Sequence, residues 1–218
     1  ESFDKLSKKV SRLISDGKIV GWFQGRSEFG PRALGNRSIL ADPRNPKMQK
    51  KLNLKIKYRE GFRPFAPSVL EEDYDLFFNG KITSPYMLMV KKIKKEIKTS
   101  LPNNYISFNY WKKLYTKRSL LQSITHVDFS ARIQTVNKKT NPRYWKLINE
   151  FKKITNCPIL VNTSFNVRGE PIVCSIEDAF NCFMGTNLDI LVIENFILFK
   201  EDQDKNLIKD YKNKFELD

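Results

Sequence analysis

Segments of helical spacing and short apolar runs take turns along the whole chain, and this interleaving confines it to an α/β architecture around a mixed sheet. Phe3, Leu6, Val10, Leu13 and Ile14 recur at helical intervals. Ser2 stands where a cap belongs and Gly17 where a left-handed stop belongs. Residues 19–23 predict a strand. Asn45-Pro46 and Asn141-Pro142 each read as a cap followed by proline at the first helical position, which predicts helices reaching about Tyr58 and Thr155. Ser175-x-x-Asp178 is a capping box that opens a helix ending near Met184. Further strands are expected at 65–70, 86–90, 131–136 and 158–162. Two more, 189–194 and 196–200, are joined tightly at Asn195, and 71–78 reads as a short helix. No period holds from Lys94 to Gln122, which predicts an irregular excursion, and the polar tail after Glu201 is expected to fray.

A length of 218 residues suits one domain, and 40% apolar with 12% aromatic residues is enough for a core. No apolar run approaches the roughly eighteen residues of a membrane span. The start, Glu1-Ser2-Phe3-Asp4, has neither a signal pattern nor an initiator Met, so the chain is expected to begin inside a longer gene product. Cys157, Cys174 and Cys182 form no CxxC pair, and His126 is the single histidine. A disulfide framework, a zinc knuckle and a His-rich metal site are thereby excluded, and a reduced cytoplasmic protein is expected. The net charge is +15, and residues 81–120 contribute most of it with ten Lys/Arg against one acid, centred on Lys91-Lys92-Ile93-Lys94-Lys95. Such an excess suits a polyanion such as RNA, or phosphorylated ligands beside a solvated basic face.

Three loops at strand ends concentrate chemistry. The first runs from Gly25 to Ser38 with three glycines and with Arg26, Arg32 and Arg37. It is neither a Walker A loop nor a dinucleotide fingerprint. Its arginines either grip phosphate or pair with Glu28 and Asp42. The second, 55–68, sets Lys57, Arg59 and Arg63 against an apolar strand, and its Lys55 reads as ordinary enrichment at a helix C-terminus. The third, 162–171, offers Asn162, Thr163, Ser164, Asn166 and Arg168, a density of donors that a plain turn does not need. Between them, Arg132 opens a strand and can point along the sheet edge into the same cleft. His126 reads as structural, and Asp128 as the orienting partner of a nearby Arg rather than a magnesium ligand. There is no Cys–His pair, no GxSxG elbow and no carboxylate cluster. The visible chemistry is anion binding, which suits adenylyl or phosphoryl transfer.

Residues 21–26 and 29–39 (Gly-Trp-Phe-Gln-Gly-Arg and Phe-Gly-Pro-Arg-Ala-Leu-Gly-Asn-Arg-Ser-Ile) closely resemble the C-terminal domain of the carbamoyltransferase family, which includes nodulation-factor and antibiotic O-carbamoyltransferases. The stretches 59–68, 125–128 and 162–171 match as well. The resemblance implies a YrdC-like twisted mixed sheet flanked by helices, spanning residues 1–218. It also implies a larger actin-like N-terminal domain, outside these residues, that holds Fe2+ or a similar metal and passes the carbamoyl group to a hydroxyl. The present domain would bind ATP, with Mg2+, and carbamoyl phosphate. It would form carbamoyl adenylate with loss of phosphate and pyrophosphate, and it would hold no metal of its own. The family's Lys-x-Arg and Ser-x-Asn patterns fall on Lys57, Arg59, Ser164 and Asn166. By this carry-over Lys57, Arg63, Arg132 and Ser164 are the candidate catalytic residues, and Arg32, Arg59, Asn162, Asn166 and Arg168 bind nucleotide or phosphate. Two departures stand out: Phe129 occupies the place where the family has Gly, so that its ring is expected to reshape the cleft, and the Lys-rich excursion has no counterpart. An RNA-binding module using Tyr105, Phe108, Tyr110, Trp111 and Tyr115 and a threonylcarbamoyl-adenylate synthase are the alternatives. Both rank below the carbamoyltransferase.

Overall fold

Eight strands share one mixed sheet in the computed structural model, which describes residues 2–208, 210–211 and 214–215. The strands are β1 (Val20–Phe23), β2 (Arg37–Ala41), β3 (Ala66–Leu70), β4 (Met89–Lys92), β5 (Ser130–Val136), β6 (Ile159–Ser164), β7 (Ile190–Ile193) and β8 (Phe196–Phe199). The helices are α1 (Phe3–Ser15), α2 (Met48–Lys55), α3 (Tyr74–Phe77), α4 (Tyr110–Tyr115), α5 (Pro142–Thr155) and α6 (Ile176–Gly185). Across the sheet the order is β4-β5-β3-β6-β2-β1-β7-β8. Only β1/β7 and β3/β5 run parallel. The expected α/β class therefore holds. The central strands β1, β2 and β3 are buried along their whole length, including Arg37 and Ser38 of β2 and Ser68 of β3.

Burial of two amphipathic helices secures one face. α1 packs along α5, and Phe3 of α1 reaches Trp22 of β1 with ring centroids 6.4 Å apart. The buried indole needs an acceptor and finds the Gly35 carbonyl at 2.8 Å. Gly35 itself sits at φ +111°, and a Cβ there would collide with the ring of Tyr144 on α5. The arginine-rich loop is thus pressed between a tryptophan and a helix.

Several local expectations change in the folded chain. Asn141 caps α5 by accepting from the Tyr144 N–H at 3.3 Å. The same dipeptide at Asn45-Pro46 makes only a turn, with Asn45 Oδ1 accepting from Lys47 N at 2.9 Å, and α2 starts at Met48. α2 also stops at Lys55, because Tyr58 takes φ +48°. Ser2 makes no side-chain cap bond. Met87 at φ +57° turns the chain before β4, which is displaced to Met89–Lys92. β6 extends past Asn162 to Ser164. The chain forms 3-10 turns at Lys200–Asp202 and Lys205–Leu207 and buries Tyr211 over Gly185 of α6; part of the tail expected to fray lies outside the described residues. No helix among the described residues is long and apolar enough to cross a membrane.

The excursion between β4 and β5 is ordered around one cation. Arg118 is 1% exposed. Its guanidinium donates to the carbonyls of Thr125 (2.9 Å), Lys113 (2.8 Å) and Leu114, so it closes the C-terminal end of α4. Phe129 occupies φ +63°, a left-handed backbone that glycine adopts without the steric cost of a side chain. Its ring packs on the core with the Lys98 ammonium 4.9 Å from its centre.

Arg118→Met should orphan these carbonyls and cost about 2–3 kcal/mol, with amide exchange rising over 110–125 before it rises in the central strands. At position 129, the Gly variant should be about 1 kcal/mol more stable than the Ala variant in chemical denaturation, because only Ala retains the left-handed strain.

Candidate active site

β2, β6, β3 and β5 are neighbours in the sheet, and the candidate residues rise from their ends. Asn162 and Ser164 lie two apart on β6 and so share a face; Arg132 and Gln134 do the same on β5. Asn162 is fully buried and donates to the Ala33 carbonyl at 3.0 Å and to Gln134 Oε1 at 2.9 Å. Gln134 donates in turn to the Leu34 carbonyl at 2.7 Å and accepts from Ser68 of β3. Three polar side chains on three adjacent strands therefore hold the loop that carries Arg32. That loop is closed at its base by Glu28, whose carboxylate accepts the N–H groups of Leu34 and Asn36 at 2.7 Å each.

Arg32 and Arg132 face each other across a small recess of about 130 Å³ shared with Arg59, Asn162 and Ser164. Burial and then the Arg32 charge lower the Arg132 pKa. Its Nε is buried without a hydrogen-bond partner among the described residues, and its guanidinium otherwise meets only the Met87 sulfur at 3.9 Å. The buried Asn162 Oδ1 is likewise unpaired there. Such orphaned groups are costly unless a ligand completes them.

A second recess, about 370 Å³, is lined by Lys57, Arg59, Arg63, Ser164, Asn166 and Arg168. Lys57 is 2% exposed. Its ammonium donates to the Ser164 carbonyl and Oγ (3.1 Å) and to the Asn166 carbonyl (2.9 Å) and Oδ1 (2.7 Å). Burial, helped by Arg59, pushes its pKa down to about 7. All of its hydrogens are spent on the third loop, so Lys57 shapes that loop from beneath. Arg59 is held by Asn53 Oδ1 at 2.8 Å and lies 5.1 Å from the Phe65 ring. Burial and then Arg63 bring it down to about 10. Glu60 is the acid of the site, 2.9 Å from Arg63 and 3.3 Å from Arg168. A third recess of about 330 Å³ joins Arg59, Arg63 and Arg132 to Val90 and His126. Burial lowers the His126 pKa.

All nine candidate residues thus line three adjoining recesses of one cleft. Other residues fall outside it. Arg37 is buried under Phe23, 3.4 Å from the ring centre, and donates to the carbonyls of Gln24, Gly25 and Asn36, so it stitches its own loop. Asp42 pairs with Arg44 instead of a loop arginine. Asp128 orients no arginine; it pairs with Lys92 at 2.8 Å and accepts from Ser130. Asn53, Ser68, Gln134, Glu60 and Glu170 support the cleft without having been singled out from the sequence. A buried polar residue inside an apolar helix or strand was the available signal for the first three. A separate cavity of about 560 Å³ is lined by Tyr58, Leu188, Phe199, Lys200 and Tyr211 among others and shares no lining residue with the cleft. Among the described residues no group of three His, Cys, Asp or Glu is placed to hold a metal.

The family described as carbamoyltransferase C-terminus matches residues 11–200. An uncharacterised protein of Synechocystis is 54% identical over the whole chain and 35% of its own length. Nodulation protein NolO of Bradyrhizobium diazoefficiens is 46% identical over 90% of this chain and 33% of that protein. A 3'-hydroxymethylcephem-O-carbamoyltransferase of Amycolatopsis lactamdurans is 35% identical over 78% of this chain and 28% of that enzyme. The chain therefore spans about a third of the length of the curated relatives it matches. The crystal structure of full-length HypF in its phosphate- and nucleotide-bound form shares the fold, with a TM-score of 0.53 and 18% identity over 87% of this chain and 25% of HypF. Sequence likeness over most of its length and a cation-lined cleft built from the matched segments lead to one conclusion: the chain belongs to the carbamoyltransferase family, in the part described as its C-terminus.

Proposed function

We propose that this chain binds ATP and carbamoyl phosphate in the cation-lined cleft and forms carbamoyl adenylate, which a larger N-terminal domain of the same protein transfers to a hydroxyl acceptor. One observation carries the reading: Arg32, Arg59 and Arg132 converge without a salt bridge to any carboxylate among the described residues. Cations gathered in this way need an anion. Two repelling anionic substrates need such cations, both to be brought together and to stabilise the charge that grows during transfer.

Carbamoyl phosphate loses its phosphate to water and leaves carbamate. A carbamate oxygen then attacks the α-phosphorus of ATP, the bond from that phosphorus to the bridging β-phosphate oxygen breaks, and pyrophosphate departs. The smaller recess, with Arg32 and Arg132, suits the small dianion. Arg59, Arg63 and Arg168 flank the larger one and suit the nucleotide phosphates, while Ser164 and Asn166 offer hydrogen bonds where the two meet. The cleft's donors are cations and amides, so Mg2+ would arrive on the phosphates of ATP, and Fe2+ or a similar metal belongs to the larger domain. HypF, which shares this fold over a quarter of its length, was crystallised in a phosphate- and nucleotide-bound form, and this is consistent with the reading. The reaction is assigned to the cytoplasm, where ATP is supplied. An RNA-binding role gains less support: Lys112 and Lys113 already cover the rings of Phe108 and Tyr105 at 3.9 and 5.9 Å.

Arg132→Ala should slow carbamoyl-phosphate-dependent pyrophosphate release by about 10²–10³-fold. Its thermal midpoint should move by less than about 3 °C, because the guanidinium has so few protein partners. Equal turnover in variant and parent would remove Arg132 from the site. Lys57 tests the scaffold. Its pKa is lower folded than unfolded, so its burial opposes folding below about pH 7, and that opposition fades as pH rises from about 7 towards 10.5. In urea titrations from pH 6 to 9.5, the stability of the parent relative to Lys57→Met should therefore climb with pH.

A further inference from the structure

The hydrogen bonds that shape the 164–170 loop run past the end of the family match at residue 200. Glu170 is their junction. Its carbonyl accepts from Asn166 Nδ2 at 2.6 Å, and its Oε2 accepts the Val167 N–H at 2.8 Å. Its other carboxylate oxygen accepts from the hydroxyl of Tyr211. Tyr211 lies in the tail and is 2% exposed. Its ring fills the space over Gly185 at the end of α6, where any Cβ would collide with it, and Phe215 packs edge-on at 5.3 Å. A half-buried carboxylate is tolerated where each oxygen is hydrogen-bonded, and bonds to a charged acceptor are the stronger kind. The path continues from Asn166 Oδ1 to Lys57 Nζ and to Ser164 Oγ at 2.6 Å. A continuous set of hydrogen bonds therefore links a seated tail residue to the floor of the cleft.

We propose that Tyr211 is a positioning residue: by donating to Glu170 it holds the 164–170 loop in the shape that turns Ser164, Asn166 and Arg168 towards the ligand. The identity of that ligand rests on the proposed function; the coupling between tail and loop does not. Phenylalanine at 211 would keep the ring in its seat and remove only that donor, leaving the Glu170 carboxylate with the Val167 N–H and the Cys182 thiol as its partners.

Amide hydrogen exchange of the parent chain and of Tyr211→Phe, with calorimetric binding of Mg2+–ATP and of carbamoyl phosphate to both, tests this. The amides of 164–170 should exchange about tenfold faster in the variant, the loss expected for one hydrogen bond to a charged group. Amides of α1 and α5 should be unchanged, and binding of at least one of the two ligands should weaken about tenfold. Gly185→Ala, which displaces the ring while leaving Tyr211 intact, should reproduce the faster exchange of the loop. Unchanged loop exchange in Tyr211→Phe would overturn the proposal. So would acceleration spread equally over α1 and α5, which marks a packing role alone, or faster loop exchange with unaltered ligand binding. If the parent binds neither ligand, the proposed function fails, while the exchange comparison still decides whether Tyr211 sets the loop.

Discussion

Mutual repulsion among cations is the constraint around which this fold is built. Two unit charges about 6 Å apart at an effective dielectric near 20 repel by roughly 3 kcal/mol. The cleft gathers Arg32, Arg59, Arg63, Arg132 and Arg168 above a buried Lys57. Glu60 offsets part of that charge on the Arg63 and Arg168 side. On the Arg32 and Arg132 side no acid among the described residues does so, and the lowered Arg132 pKa, from burial first and Arg32 second, records the cost. A loop free to relax would let these groups swing apart. Part of the cluster is held by neutral, buried anchors: Arg59 by Asn53, and the Arg32 loop by Asn162 and Gln134.

Sheet topology turns that repulsion into a usable site. Arg32, Lys57, Arg132 and Ser164 are far apart in the chain, yet β2, β6, β3 and β5 lie side by side. The antiparallel pairing of β6 with both β2 and β3 brings Ser164 opposite Ser38 and Asn162 opposite Ala66. The first and third loops therefore meet beside the second. Under the proposed function an arriving anion would relieve that repulsion as well as form new bonds.

Much of this was legible in the chain. Dense clusters of Arg, Gly, Ser and Asn at strand ends marked all three loops, because a residue composition that serves no core leaves a visible break in hydrophobic period. α5 and α6 were legible because their caps are local hydrogen bonds. Other features depend on tertiary contacts. Asn45-Pro46 and Asn141-Pro142 carry the same local signal, yet only the second is a helix cap. Tyr58, Met87 and Phe129 adopt left-handed backbone that no residue of their kind advertises. Ser68, Gln134 and Asn53 look like ordinary polar substitutions until their partners are known. Tyr211 sits in a stretch that is polar by composition, and only the bare backbone of Gly185 gives its ring a seat.

The two sides of the cleft are consequently fixed by different means. On one side the restraint is the sheet itself: Asn162 and Gln134 reach from β6 and β5 to the backbone of residues 33 and 34. The backbone of Arg132 is fixed by its place in β5, which pairs with β3 and β4. On the other side the restraint is a set of side-chain hydrogen bonds, with Lys57 below and Glu170 behind, around a loop that has no ladder of its own. Strands open only with the global free energy, whereas loops held by a few bonds open at lower cost. Under the proposed function the arginines beside the strands would supply fixed charge for the small anion, and the loop of Ser164, Asn166 and Arg168 would be the part that adjusts to the larger one. A buried lysine whose hydrogens are all taken by its own loop fits that division, since it sets the loop's shape.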